Sequence, residues 1–118
     1  MLILPIEKKW FDMVLSGEKP EEYRAIKPYW TSRILKWLEY QKSEEKAVMK
    51  MLGEQGTVKQ MEVLFRNGYS SKSPSFIAMC TLKIGGGYEG WGAVKGEKYF
   101  AFAIHEVKAI KRKGGCDG

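Results

Sequence analysis

Apolar residues along the chain follow two spacings, one typical of strands and one typical of helices. The opening run LILPI is short and contains Pro5, which predicts a strand at the edge of a sheet. Four apolar residues then recur at helical spacing: Trp10, Phe11, Val14 and Leu15. Gly17 stands where a left-handed cap would end this helix, so the helix is predicted to stop near Ser16.

The segment KPEEYRAI predicts a short second strand. Pro20 cannot continue a helix, and the residues after it alternate in character. Because side chains of a strand point alternately to its two sides, Glu21 and Tyr23 should share one side and Glu22 and Arg24 the other. We expect Tyr23 to turn toward the core.

A second helical pattern runs from Pro28 to Leu52 and is interrupted by the polar interval QKSEEK. Ser43, followed by two glutamates, resembles a new N-cap, so the segment predicts either one helix or two. The segment KQMEVLFRNGY then alternates as a strand does and ends at Asn67-Gly68, a tight-turn signal.

The segments SFIAMCTLKIG and KYFAFAIHEVKAIK predict two further strands, joined by a glycine-rich connection. The order of elements therefore predicts an α+β fold with a mixed sheet of about five strands, curled into a partial barrel, and two or three helices packed outside. We expect a single domain over positions 1 to 111, followed by a flexible tail at 112 to 118.

Composition and charge narrow the class of protein. The chain has 118 residues, 44% of them hydrophobic, and its apolar start is too short to span a bilayer and lacks the features of a secretory signal, which predicts a cytoplasmic protein. The net charge is +6, and positions 63 to 118 hold nine Lys and Arg against four Asp and Glu. A basic half favours a polyanionic partner such as RNA or DNA, although a lysine-rich solvated surface explains the same numbers.

Metal sites and cofactors are not expected. One histidine and two widely separated cysteines do not make a zinc or iron site, and no phosphate-binding or dinucleotide motif is present.

The first candidate site is the spacing G-x-K-x-x-E-x-R, formed by Gly17, Lys19, Glu22 and Arg24. Arginine offers a fork of donors, glutamate accepts from an amino group, and lysine meets a phosphate or a carbonyl oxygen. Such a set can hold a planar polar group. A helix cap followed by a solvated edge strand would show the same residues.

Two loops supply further candidates. In RNGYSSKSPS, Arg66 and Lys72 could meet phosphates, Asn67 belongs to the same predicted binding set, and Tyr69 could stack on a base. In IGGGYEGWG, Trp91 could present an aromatic face where glycines allow close approach. A plain hairpin loop and aromatics packed on neighbouring backbone are the alternatives.

The chain resembles the ASCH domain family of the PUA-like superfamily. The resemblance rests on the signature Gly17, Lys19, Glu22 and Arg24, the preceding Trp-containing helix, the FRNGY segment and the KYFAFAIHEV strand, and it covers positions 1 to about 111. It implies a PUA-like five-stranded pseudobarrel with a cleft lined by the signature residues. It also implies binding of RNA or a nucleotide, with a role in RNA metabolism or regulation.

The same resemblance implies an alternative, because some small ASCH members hydrolyse the N4-acetyl group of acetylcytidine with a lysine, a threonine and a glutamate. Lys19 matches the lysine, but Glu22 stands where the threonine belongs. A hydrolase acting on a modified nucleoside or on RNA would use Lys19 as base and Glu22 as its partner, with Ser70 or Thr81 supplying a hydroxyl. A third possibility is an interaction domain whose exposed aromatics meet a protein.

Overall fold

The computed structural model describes residues 1–111, and the predicted tail at 112–118 lies outside them. This part of the chain forms five strands and three α-helices, in the order β1 (Leu2–Ile6), α1 (Lys8–Ser16), β2 (Glu21–Ala25), α2 (Pro28–Trp37), α3 (Glu45–Glu54), β3 (Met61–Asn67), β4 (Ser75–Gly85) and β5 (Tyr99–Lys111). The predicted α+β class is confirmed. Within residues 1–111, no helix is both long enough and apolar enough to cross a membrane.

The strands form one mixed sheet in the order β1-β3-β4-β5-β2. β1 runs parallel to β3, and the other neighbours are antiparallel. The register of β4 and β5 shifts between Ser75 and Ile77 and between Met79 and Cys80, and such irregularities bend a sheet. The result is a half-barrel in which β1 and β2 are the two edges, as the mixed five-stranded prediction requires.

Local signals place the ends of the first elements. Pro5 lies in β1, which is an edge strand. Within the described part of the chain, no strand pairs with the open side of β1, so the N–H that proline lacks there leaves the sheet hydrogen bonds intact. Gly17 caps α1 with a φ of 89°, in the left-handed region that favours glycine. Both predictions are confirmed.

The polar interval after α2 separates two helices. It forms a 3-10 turn at Lys42–Glu44, and the Gln41 N–H donates to the Glu44 carboxylate at 2.8 Å. The two-helix alternative is therefore confirmed. Gln41 caps the 3-10 turn, and the N-cap of α3 is Glu44 rather than Ser43.

The main core lies between the concave face of the sheet and the helices. Its fully buried members include Leu4, Ile34, Leu52, Phe65, Phe76, Phe100 and Phe102. Because paired residues of neighbouring strands share a face, Glu22 opposite Phe102 and Arg24 opposite Phe100 point to this core side. Tyr23 points the other way, into a small cluster with Ala93 and Ala101. Tyr23 therefore turns toward the core, as predicted, but into this smaller cluster rather than into the main core.

Gly56 lies in the connection between α3 and β3, packs against β4 and has no room for a side chain. Its φ is +75°, and an added Cβ would lie 2.7 Å from the Leu82 carbonyl oxygen. We predict that Gly56→Ala lowers the free energy of unfolding by about 1–3 kcal/mol, because both the backbone strain and the clash oppose the native state. Urea denaturation measures the change.

Gly53 provides the matched control, since it lies inside α3 with open space around its Cα. Gly53→Ala should raise the free energy of unfolding by about 0.5–1 kcal/mol through helix propensity. Equal effects of the two substitutions would contradict the geometry at Gly56.

Candidate functional site

The open edges of β1 and β2 face each other across a gap that we call the seam. The Ile104 N–H donates to the Pro20 carbonyl at 2.9 Å. The backbone N–H and C=O groups of the even-numbered residues of β2 therefore point toward β5. The carbonyls of Glu21 and Tyr23 consequently point away from β5, into the seam. Buried backbone carbonyls require donors, and among residues 1–111 no sixth strand pairs with β2 to supply them.

Two cationic side chains supply those donors. Lys19 Nζ donates to the Glu21 carbonyl at 2.7 Å. Arg24 Nη1 donates to the Tyr23 carbonyl at 2.7 Å, and Arg24 Nη2 reaches across the seam to the Pro5 carbonyl of β1 at 2.7 Å. Side chains thus link the two edges of the half-barrel where a further strand would close it.

The Glu22 carboxylate lies between the two cations. Its Oε1 accepts from Lys19 Nζ, and its Oε2 accepts from Arg24 Nη1. Lys19 is 1% exposed and Glu22 is 5% exposed. Charges buried this deeply are tolerated only when they are paired and hydrogen-bonded, so we treat Lys19, Glu22 and Arg24 as one unit, the seam triad.

Burial changes the acidity of Lys19. Desolvation lowers the pKa of the ammonium group from its ordinary value of 10.5, and the nearby Arg24 charge acts in the same direction. The Glu22 carboxylate opposes this shift by its charge and its hydrogen bond. Glu22 therefore favours the protonated form of Lys19 inside the protein.

Both cations of the seam triad also contact aromatic rings. Lys19 Nζ lies 5.5 Å from the ring centroid of Trp10 and 5.4 Å from that of Tyr23. Arg24 Cζ lies 5.2 Å from the centroid of Trp30. These distances are typical of cation–π contacts, which connect the triad to the aromatic wall beside it.

A cavity of about 720 Å³ opens beside the seam. Glu22 and Arg24 form part of its lining, and its walls contain seven aromatic residues: Trp10, Tyr23, Tyr29, Trp30, Tyr69, Trp91 and Tyr99. Small-molecule sites commonly have volumes of roughly 300–1,000 Å³ and combine apolar walls with a few polar groups. We call this space the aromatic cavity.

Five of the eight predicted site residues line the aromatic cavity, namely Glu22, Arg24, Asn67, Tyr69 and Trp91. They come from distant parts of the sequence, and the folding of the sheet brings them together. Whether they bind a ligand stays a prediction.

The other three predicted residues lie outside the lining. Lys19 is buried in the seam, and Lys72 is exposed on the loop before β4. Arg66 lies on β3 opposite Ser75, and its Nε is buried without a hydrogen-bond partner among the described residues. Lys19 nevertheless contacts the cavity residue Glu22 within the seam triad, whereas Arg66 and Lys72 have no part in the triad or the cavity lining.

Sequence reasoning missed five of the seven cavity aromatics, among them Tyr23, which was predicted to turn toward the core. Trp10 and Trp30 recur at helical spacing and pack partly against the core, so their pattern does not distinguish them from core residues. Tyr29 and Tyr99 were not singled out either. One signal was available, since Tyr29 and Trp30 follow Pro28 at the start of α2, directly after the strand that carries the signature.

The hydroxyls proposed for the hydrolase alternative do not line the aromatic cavity. Thr81 Oγ1 lies 2.8 Å from His105 Nε2, and Ser70 Oγ accepts from the Lys72 N–H at 3.1 Å. The hydrolase alternative stays a prediction. Across residues 1–111, no cluster of three or more His, Cys, Asp or Glu side chains could hold a metal ion.

Fold and site define an α+β protein with a half-open sheet and an aromatic cavity beside its seam. No protein-family model, curated protein or solved structure matches the chain. The resemblance to the ASCH domain family therefore stays a prediction.

The seam triad gives a first test of the site. Glu22→Gln leaves the buried Lys19 and the half-buried Arg24 without their carboxylate, so we predict a loss of about 3–5 kcal/mol in the free energy of unfolding at pH 7. Removing Glu22 lowers the pKa of native Lys19 further below its unfolded value. The native state then binds fewer protons than the unfolded state, and the loss should shrink as pH rises toward 10.

Glu18→Gln is the matched control, because Glu18 is exposed and its side chain takes no part in the triad. Urea denaturation at several pH values measures both variants. A Glu22→Gln defect no larger than that of Glu18→Gln, or one independent of pH, would contradict the pairing described here.

Proposed function

We propose that the protein is a PUA-like domain of the ASCH type that binds single-stranded RNA, or a nucleotide from it, by inserting one base into the aromatic cavity. The observation that carries the proposal is the combination, in one cavity lining, of seven aromatic side chains with the half-buried guanidinium of Arg24. Proteins read single-stranded RNA mainly by splaying out bases, stacking them on aromatic rings and bonding their polar edges.

Arg24 and Asn67 supply the polar groups for a base edge. Arginine has five N–H donors, and Arg24 uses three of them on Glu22, Tyr23 and Pro5. The two remaining N–H donors of Arg24 are suited to a keto oxygen on the edge of the bound base. The Asn67 amide, with both donor and acceptor atoms, lies in the same lining.

Cations outside the aromatic cavity suit the RNA backbone. Lys9 Nζ lies 4.5 Å from the centroid of Trp10, and Arg33 Cζ lies 3.5 Å from that of Tyr29, so two exposed cations stand at the cavity walls. Lys19 is buried and donates to Glu21 and Glu22, and the two remaining donors of Arg24 are assigned to the base edge. We therefore assign phosphate contacts to Lys9 and Arg33 rather than to the seam triad.

Tyr69 tests base stacking without disturbing the fold, because its side chain lines the aromatic cavity yet is 88% exposed. We predict that Tyr69→Ala weakens binding of a fluorescein-labelled oligouridine by about 1–3 kcal/mol, the usual contribution of one stacked base. Fluorescence anisotropy measures the affinity, and Tyr40→Ala removes an exposed tyrosine outside the aromatic cavity as a control. Equal affinities of the two variants would count against the stacking role.

The salt dependence tests the assignment of phosphate contacts. We predict that the logarithm of the RNA affinity falls linearly with the logarithm of salt concentration, and that Arg33→Ala reduces this slope by about one unit or less. Lys50→Ala, which removes an exposed cation of α3 far from the cavity lining, should leave the slope unchanged. An affinity that does not vary with salt, or the absence of any RNA binding, would contradict the proposed function.

A further inference from the structure

The connection between β4 and β5 forms one wall of the aromatic cavity. Residues 86–98, which we call the wall loop, contain a 3-10 turn at Glu89–Trp91, and both Trp91 and Gly92 reach the cavity lining. The loop has little regular structure of its own to hold it against the sheet. Its position over the cavity must therefore come from specific contacts.

Two tyrosine hydroxyls hold the wall loop in the same manner. Tyr23 OH accepts from the Tyr88 N–H at 3.0 Å and donates to Glu21 Oε1 at 2.7 Å. Tyr99 OH accepts from the Val94 N–H at 2.9 Å and donates to a carboxylate within the loop itself. The two contacts lie on opposite sides of the 3-10 turn, but only Tyr23 belongs to the strand of the seam triad.

The contact with Tyr88 controls the position of Trp91. The Tyr88 carbonyl accepts from the Trp91 N–H at 3.0 Å and from the Ala93 N–H at 3.3 Å, so the turn is built on this residue. The rings of Tyr88 and Trp91 also meet edge to face, with centroids 4.7 Å apart. Any release of the Tyr88 N–H therefore frees the turn that carries Trp91.

Packing around Gly87 adds an independent constraint. A Cβ at Gly87 would lie 2.6 Å from Ala93 Cβ and 2.8 Å from Tyr23 Cζ, distances that no real side chain adopts. The backbone of the wall loop thus rests directly on the Tyr23 ring. At Gly86, by contrast, the nearest atom to an added Cβ is a carbonyl oxygen at 3.9 Å, an ordinary contact.

We propose that Tyr23 is a positioning residue of the aromatic cavity: its hydroxyl and its ring hold the wall loop so that Trp91 faces the bound base. This inference rests on the proposed function for its effect on RNA. β2 then has two roles. Glu22 and Arg24 on one side of the strand belong to the seam triad, and Tyr23 on the other side holds the wall loop. Burial raises the pKa of Tyr23 to about 12, which keeps the phenol protonated and able to donate to Glu21.

Hydrogen exchange and RNA affinity test the inference together. Tyr23→Phe removes only the hydroxyl, and Gly87→Ala pushes the loop off the ring. In both variants, exchange of the Tyr88 amide should accelerate about tenfold relative to that of the core residue Phe102, and affinity for labelled oligouridine should fall about tenfold. Comparison with Phe102 separates a local release from a general loss of stability.

Two controls match these variants. Gly86→Ala adds the same methyl group one residue earlier, and Tyr40→Phe removes a tyrosine hydroxyl outside the aromatic cavity. Both should leave Tyr88 exchange and RNA affinity near those of the original protein. Unchanged Tyr88 exchange in Tyr23→Phe and Gly87→Ala, or equal effects of the variants and the controls, would overturn the inference. If the original protein binds no RNA, the proposed function fails, and the exchange rates alone decide whether Tyr23 holds the wall loop.

Discussion

The unpaired carbonyls along the seam are the constraint on which the rest of the structure depends. A half-barrel of five strands leaves two facing edges, and buried carbonyls without donors would cost free energy. Lys19 and Arg24 bond these carbonyls, and Arg24 connects β2 to Pro5 of β1. The same contacts protect the strand edges from pairing with another chain. The buried Lys19 and the half-buried Arg24 then require a carboxylate, and Glu22 provides it.

The aromatic cavity follows from the same arrangement. Because the sheet does not close at the seam, side chains from both sides of β2 can reach one space. The rings of Trp10, Tyr23 and Trp30 contact the cations of the seam triad and also line that space. Their cation–π contacts reduce the cost of burying charge and fix the walls in place. One physical solution to the open edge therefore supports both stability and the candidate binding site.

Local patterns in the sequence predict the helices and strands well, because the start and end of each element depend mainly on residues that are close together in the chain. Gly17 ends α1 and Pro5 marks an edge strand for reasons that involve only a few adjacent residues. The direction of Tyr23 depends instead on how β2 pairs with β5 and where the wall loop lies, and no local signal contains that information. For the same reason, half-buried Trp10 and Trp30 could not be distinguished from core residues, whereas Asn67 and Tyr69 stood out in a turn.

The four tryptophans allow the most direct measurement of whether the aromatic cavity binds RNA. Trp10, Trp30 and Trp91 line the cavity, while the Trp37 indole N–H donates to the Glu62 carbonyl at 3.0 Å outside it. Titration of ¹⁵N-labelled protein with single-stranded oligouridine should shift the indole resonances of the three cavity tryptophans and leave that of Trp37 in place. Shifts at Trp37 alone, or no shift at any of the four, would contradict the account.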